Sequence, residues 1–533
     1  MHARSPDPAP PSRSLPRRAA LRGGGAAAAL LASGGALAGC RSAVSVAEGR
    51  GGGGPRRSGD LTVGTALEFQ PALLFTQSAQ PLQQGLVYNT LTRYDDSLTP
   101  QPELARSWNY AKDGRSITLR LRDDVTYHDG RQFTADDVIF AIRNLTDPQR
   151  SAQLASTAKV VSGFEKRGDH ELTLKLKHPV GNLFDLFEFM IITDRHSIED
   201  TLKGRRLNGT GPFRFAGWQP GSRLSLRRNE HYWRPGRPYL DSVELRLYSQ
   251  PDALLSALRS GQAQLSLQVP GNYVATLKGN PSFAIKRYST GNGAVYVGAD
   301  VSKKPADSKL FRQAIAWAVD RERVVDQALG GYGLASAAPW PRSSPVHSEA
   351  SRTHYTHDPG KARELLRASG VDPREPVPLG HSTQPRIASI AQIVQYDLRQ
   401  AGIRTRLRPY DDAEFQNRLI SGTMPTLWIN SHGFAQVQPS TLAVSAYPFN
   451  EAKNTSHFGS RAYTEAVHDA WEHRDNKGAA AHARYRRVSD LLLDEAFIID
   501  LAIEDQVQVS SKRLRGVGLG KFGYLHLDDA YLV

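Results

Sequence analysis

Hydrophobic and polar positions alternate most cleanly between Ser116 and Arg122, where Ile117, Leu119 and Leu121 interleave with Thr118, Arg120 and Arg122. Successive side chains of a strand point to opposite faces, so this pattern predicts a half-buried strand with a basic outer face. Trp108 opens the unit, and His128-Asp129-Gly130 makes a turn in which Gly130 is free to take positive φ. Thr134-Ala135-Asp136-Asp137 then has the form of a capping box. The Thr134 hydroxyl can accept from free backbone N–H groups, and the two carboxylates sit at the positive end of the helix dipole. The helix buries Val138, Phe140, Ala141, Ile142 and Leu145 and stops before Asp147-Pro148.

The same reading extends along the chain. Strands are predicted at Leu61–Gly64, Glu171–Leu176, Arg223–Leu226, Leu240–Tyr248, Arg404–Arg408, Ile498–Ile503 and Gln506–Ser510. Helices are predicted at Asp252–Ser260, ended by Gly261, and at Ile390–Gln400, 460–473 and 479–495. Lys309–Ala328 reads as one helix, since Leu310, Ala314, Trp317, Ala318, Val324 and Val325 recur at helical spacing. In 358–368, Asp358 can cap, Pro359 suits the first turn, and Ala362, Leu365 and Leu366 form the stripe. In Gly209-Thr210-Gly211-Pro212-Phe213, Gly211 and Pro212 are expected to fix a sharp reversal. The aromatics of Asn229–Trp233 read as core. Strands and helices interleave throughout, which makes the class mixed α/β.

Length and composition narrow this picture. A chain of 533 residues is too long for one core, so two or three domains are expected. The first 39 residues carry five arginines against one aspartate, and Gly23 to Gly39 contains no charge at all. A basic start, an apolar run shorter than a spanning helix and small residues at its end predict an export signal over 1–39. Arg17-Arg18 points to the twin-arginine route, with general secretion as the alternative. The run ends Leu37-Ala38-Gly39-Cys40, which resembles the lipobox of bacterial lipoproteins, and Cys40 is the chain's single cysteine. That resemblance implies a diacylglycerol thioether on Cys40. Residues 40–59, with four consecutive glycines, would then be a flexible tether with a reach of roughly 25 Å. The expected location is extracytoplasmic, on the outer face of the cell membrane. The formal charge of +14 is dispersed, and no aromatic-basic nucleic-acid motif accompanies it. Nucleic acid is therefore not an expected partner.

Several stretches resemble one family. "LARSW" followed by "DGRSITLRLRDDVTYHDGRQFTADDVIFAI", Gly85–Leu91, "GTGPF", "NEHYW" and "KLFRQAIAWAVDRERVVDQA" are similar to motifs of the family-5 solute-binding proteins of bacterial ABC importers. These proteins bind dipeptides, oligopeptides or nickel. The resemblance covers nearly all of 60–533. It implies a two-lobed periplasmic-binding-protein type II fold, the Venus-flytrap arrangement, with an extra domain beside the first lobe. By the family's chain order the first lobe is 60–90, 200–297 and 503–533, the extra domain 91–199 and the second lobe 298–502. It further implies a monomer that captures a small molecule or peptide between its lobes and presents it to a membrane permease.

No catalytic arrangement stands out: there is no Gly-x-Ser-x-Gly, no His-Glu-x-x-His and no phosphate-cradling glycine loop. A binder without catalytic residues, cofactor or resident metal is the expectation. A sensing lipoprotein of the same fold and a secreted hydrolase are the rival readings. His347, His354 and His357 read as a polar loop rather than a metal site. In the family, the stretch matching Trp428–Leu442 carries an acidic residue that pairs with a peptide's amino group. Aligned on Pro439-Ser440-Thr441, that place is taken by Ala435 and the next acidic place by Gln438. A buried ammonium without a counter-charge costs several kcal/mol. The usual anchoring of a free peptide amine is therefore not expected. Trp428, His432, Phe434, Gln436 and Gln438 are the candidate ligand residues, with Tyr332 and Trp340 of "GGYGLASAAPWP" as further candidates near the cleft.

Overall fold

The structure is a computed structural model describing residues 55–75, 83–150, 152–372, 375–433, 438–475 and 478–533, with 289–292 described by backbone alone. The expected signal, Cys40, Phe434, Ala435 and Gln436 lie outside the described residues.

In chain order, β1 (Asp60–Thr65) leads into a separate antiparallel sheet of β2 (Ala105–Tyr110), β3 (Ser116–Leu121), β4 (Val161–Lys166) and β5 (Glu171–Leu176), ordered β2-β3-β5-β4. With α1 (Ala135–Thr146) and α2 (Leu183–Phe189), this sheet fills the stretch expected as the extra domain. The alternation predicted for β3 is met, with Ile117, Leu119 and Leu121 buried. The capping box of α1 is also met. The Thr134 backbone N–H donates to Asp137 at 3.0 Å, and the fully buried Asp137 carboxylate also holds Arg131 at 2.8 Å and Arg195 at 2.7 Å. Phe140, expected in the core, is half-buried.

The chain then returns to the first lobe through β6 (Phe213–Gln219), β7 (Arg223–Arg228), β8 (Ser242–Leu247), α3 (Pro251–Ser260) and β9 (Leu265–Ser266). α3 ends where expected, at Gly261 with φ 76°. The "GTGPF" glycines do a different job from the one read in the sequence. Neither takes positive φ. A Cβ on Gly209 would lie 2.0 Å from the Val87 carbonyl oxygen, and one on Gly211 2.5 Å from the Val87 carbonyl carbon. They are glycines because two backbones touch there, with Gly211 N–H donating to Val87 O at 2.9 Å.

Next comes β10 (Phe283–Ala299), then the second lobe: α4 (Lys309–Ala318), β11 (Val377–Ser382), α5 (Pro385–Gln400), β12 (Thr405–Tyr410), β13 (Leu427–His432), α6 (Pro439–Ser445), α7 (Arg461–Trp471) and α8 (Gly478–Glu495). The stretch read as one helix from Lys309 to Ala328 breaks at Val319. Asp320 starts a new turn there by accepting from Arg323 N–H, and Val324–Ala328 is wound as a π-helical turn. The two strands expected at the end are instead one strand, β14 (Ile498–Ser511). Its polar residues fall where the strand passes from one lobe to the other, so the break in hydrophobic pattern marks a change of environment and not a turn.

The main sheet has the order β12-β11-β13-β10-β14-β9-β1-β8-β7-β6. β10 and β14 pair antiparallel along their lengths and belong to both lobes. Their register slips between Tyr288 and Gly293, where the chain of β10 gains residues over β14. That slip is the crossing point. The first lobe has two cores of its own, around Leu61, Val63 and Phe213 and around Leu254, Val274 and Val509. The extra domain shares one core with the second lobe, joining Leu119 and Phe187 to Val297 and Phe311. The extra domain thus adjoins the first lobe and packs on the second as well.

Candidate functional site

In open α/β sheets, ligands bind outside the carboxyl ends of parallel strands. Here β1 runs parallel to β8 and β9, and β11 runs parallel to β12 and β13. Their carboxyl ends are Thr65, Leu247 and Ser266 in the first lobe and Ser382, Tyr410 and His432 in the second. The two sets are separated by the β10–β14 crossing. A cleft built on both sets is the candidate site.

On the second-lobe side, β13 sends Trp428, Asn430 and His432 to one face. Register places them opposite Gly298, Tyr296 and Ala294 of β10. Trp428 is fully buried and lies against Gly298, where a Cβ would come within 2.2 Å of the indole. Asn430 faces the hydroxyls of Tyr296 and Tyr447, and burial raises both phenols above their ordinary pKa. The His432 ring meets Tyr447 edge-on at 4.8 Å, and its Nδ1–H donates to Gly433 O at 2.8 Å. Burial lowers the His432 pKa to about 4, so the imidazole is neutral at physiological pH. This face offers aromatic surface, an amide and a neutral imidazole, and no carboxylate from β13.

On the first-lobe side, the Thr65 hydroxyl and the Ala66 N–H sit on the Gln268 amide oxygen at 2.9 and 2.6 Å. At the crossing, Glu504 accepts from Arg386 at 2.6 Å, and Asp505 pairs with Arg287. Burial raises Asp505 above the usual carboxylate range despite Arg287. Thr65, Gln268, Arg386 and Glu504 were not singled out in the sequence. They come from distant segments with no local motif, and only the strand order joins them.

The other predicted residues fall elsewhere. Tyr332 is half-buried beside the crossing, where its carbonyl accepts from Asp505 N–H at 3.3 Å and its ring packs on the first lobe's smaller core. Trp340 is 1% exposed in the second-lobe core and donates to Ser489 Oγ at 3.0 Å, so its indole is committed away from the cleft. Gln438 is buried just before α6, and its N–H donates to Asp185 at 3.1 Å. The three histidines are used locally. His347 bonds the Trp340 carbonyl, His357 the Ala318 carbonyl, and His354 packs on Tyr355. Among the described residues, no group of three or more His, Cys, Asp or Glu is placed to hold a metal, and no helix is long and apolar enough to cross a membrane.

Comparison with known proteins gives a family match over residues 99–451, to the bacterial extracellular solute-binding proteins, family 5 Middle. The oligopeptide-binding protein AppA of Bacillus subtilis (strain 168) is 28% identical over 348 residues, spanning 63% of this chain and 63% of that protein. The glutathione-binding protein GsiB of Pectobacterium atrosepticum is 26% identical over 461 residues, spanning 84% of this chain and 88% of that protein. Among solved structures, AppA from Bacillus subtilis with a nonapeptide superposes with a TM-score of 0.79 at 21% identity, covering 90% of this chain and 100% of that one. The protein AgaA from A. tumefaciens R10 with agropinic acid gives 0.78 at 21%, covering 89% and 99%. At these identities the structural likeness speaks for the fold: a two-lobed type II periplasmic-binding architecture.

Proposed function

The chain belongs to family 5 of the bacterial extracellular solute-binding proteins, and from that premise we propose that it captures a peptide-like or other small solute between its lobes and delivers it to the permease of an ABC importer. The observation that carries this reading is the pair of parallel-strand ends, Thr65 with Ser266 and Ser382 with His432, set on either side of two strands shared by both lobes. Two bodies joined by two strands can close by a hinge, and a solute between them is sequestered from water. The protein acts as a binder and not an enzyme. Its body is held at the outer face of the membrane by a lipid on Cys40, the signal 1–39 having been removed. Trp428, His432, Phe434, Gln436 and Gln438 are the ligand residues proposed for the second-lobe wall, of which Trp428 and His432 belong to β13.

The chemistry of that wall selects the ligand. Ala435 and Gln438 bring no carboxylate, and His432 is neutral, so the wall suits a solute that is uncharged or anionic at this end. Calorimetric titration with a tripeptide and its N-acetylated form tests this. Equal or tighter binding of the acetylated form is expected, and a strong preference for the free amine contradicts it. Incubation with the same peptides should return them intact, whereas hydrolysis would replace transport with catalysis.

A further inference from the structure

The extra domain enters and leaves the chain through the first lobe, since the strands on either side of it, β1 and β6, both belong to that lobe. Yet α2 of the extra domain is bonded to the second lobe. Asp185, 0% exposed, accepts from the Gln438 N–H at 3.1 Å, from the Thr441 hydroxyl and from the Tyr94 hydroxyl at 2.8 Å. Asn182, also 0% exposed, donates to Thr441 Oγ1 at 2.9 Å and accepts from Trp471 Nε1 at 2.8 Å. Around this pair the His178 ring meets Trp471 at 5.3 Å, and the Arg474 guanidinium lies 5.3 Å from the Tyr110 ring. Glu188, one turn further along α2, accepts from the Tyr94 N–H and, at 3.0 Å, from the Lys521 N–H of the first lobe. The helix therefore carries one buried carboxylate for each lobe.

These two attachments respond differently to hinge motion. An opening rotation of the second lobe about the β10–β14 crossing would carry α6 and α7 away from α2, parting the core they share there, and would leave Lys521 in place. The bonds of Asp185 and Asn182 to Gln438, Thr441 and Trp471 are then the ones that break. We propose that Asp185 and Asn182 form a closure latch, by which the extra domain holds the second lobe shut across the cleft. The latch rests on the reading of the chain as a hinged binder, and it concerns the protein's own closure and not the identity of the solute. It adds the extra domain to the machinery that sets how long a solute is retained.

Electron–electron distance measurement on the full chain in a Cys40→Ser background, with spin labels at Ser260→Cys in the first lobe and Ser421→Cys in the second, reads the latch without any ligand. The parent should show a short interlobe distance beside the long one of the open form. Asp185→Ala should move the short-distance population to longer distances. Thr441→Val, which removes the second-lobe hydroxyl and keeps the carboxylate, should shift it in the same direction. Glu188→Ala, an equal loss of a buried carboxylate on the first-lobe side, should lower the melting temperature and leave the distances unchanged. Superimposable distributions for Asp185→Ala, Thr441→Val and the parent overturn the latch, as does an equal opening by Glu188→Ala. Because no solute is present, failure to find a ligand leaves this result untouched. Normal solute binding by an opened variant would leave the transport reading intact.

Discussion

His432 and Gly298 show how single residues shape the second-lobe wall. Burial lowers the His432 pKa to about 4, so the imidazole itself should contribute no change in solute affinity between about pH 5.5 and 8. A His432→Leu variant keeps the apolar volume and loses the polar edge. It should weaken solute binding by about 1–2 kcal/mol with little change in melting temperature, as read by calorimetry and thermal denaturation. Gly298 lies under the Trp428 indole with no room for a methyl group. Gly298→Ala should therefore destabilise the fold by about 1–3 kcal/mol in a denaturant titration. The need for glycine at 209, 211 and 298 could not be read from the sequence, because it comes from backbones and rings brought together by remote segments. The capping box at Thr134 could be read, because its partners are three residues apart.

At the scale of elements, alternation located β3 and β5 almost to the residue, since each buries one face of a sheet within its own domain. It split β14 in two, because that strand serves two lobes and its middle is polar. Of the candidate site, the sequence located the strand β13 that carries Trp428 and His432, and not the contacts those side chains make. Trp340 shares the aromatic character of a ligand residue, yet Ser489 holds it in the core. Helix α2 carries a pH dependence that follows from burial. Desolvation raises Glu188 to about 7 and Asp185 to about 6. A carboxyl raised in the folded state keeps its proton where the unfolded chain has lost it, so its burial costs stability at pH 8 and that cost disappears as pH falls. The buried neutral histidines His128 and His432 titrate in the opposite sense, losing stability as pH falls below their ordinary range. The difference between the parent and Glu188→Gln isolates the carboxyl. The parent should gain on the variant by at most about 1.4 kcal/mol per unit as pH falls from 7 to 4.5. A constant difference across that range would contradict the burial argument.

The whole molecule is organised by two strands that belong to both halves. The ion pairs Arg386–Glu504 and Arg287–Asp505 sit at their crossing, where the proposed closing rotation would have its axis. Arg386→Ala should cost about 2 kcal/mol in stability, measured by chemical denaturation, because it leaves the half-buried Glu504 without its partner. The two-lobed plan was legible from motif order, whereas the shared core of extra domain and second lobe was not, since no local pattern records which domains touch. The central claim is that this protein holds a small solute and releases it unchanged. Native mass spectrometry of the protein purified from its own extracytoplasmic fraction tests that claim most directly. One small molecule per chain, lost on denaturation and recovered intact, is the expected result. A protein that carries no adduct and yields a cleaved product from every candidate solute would contradict it.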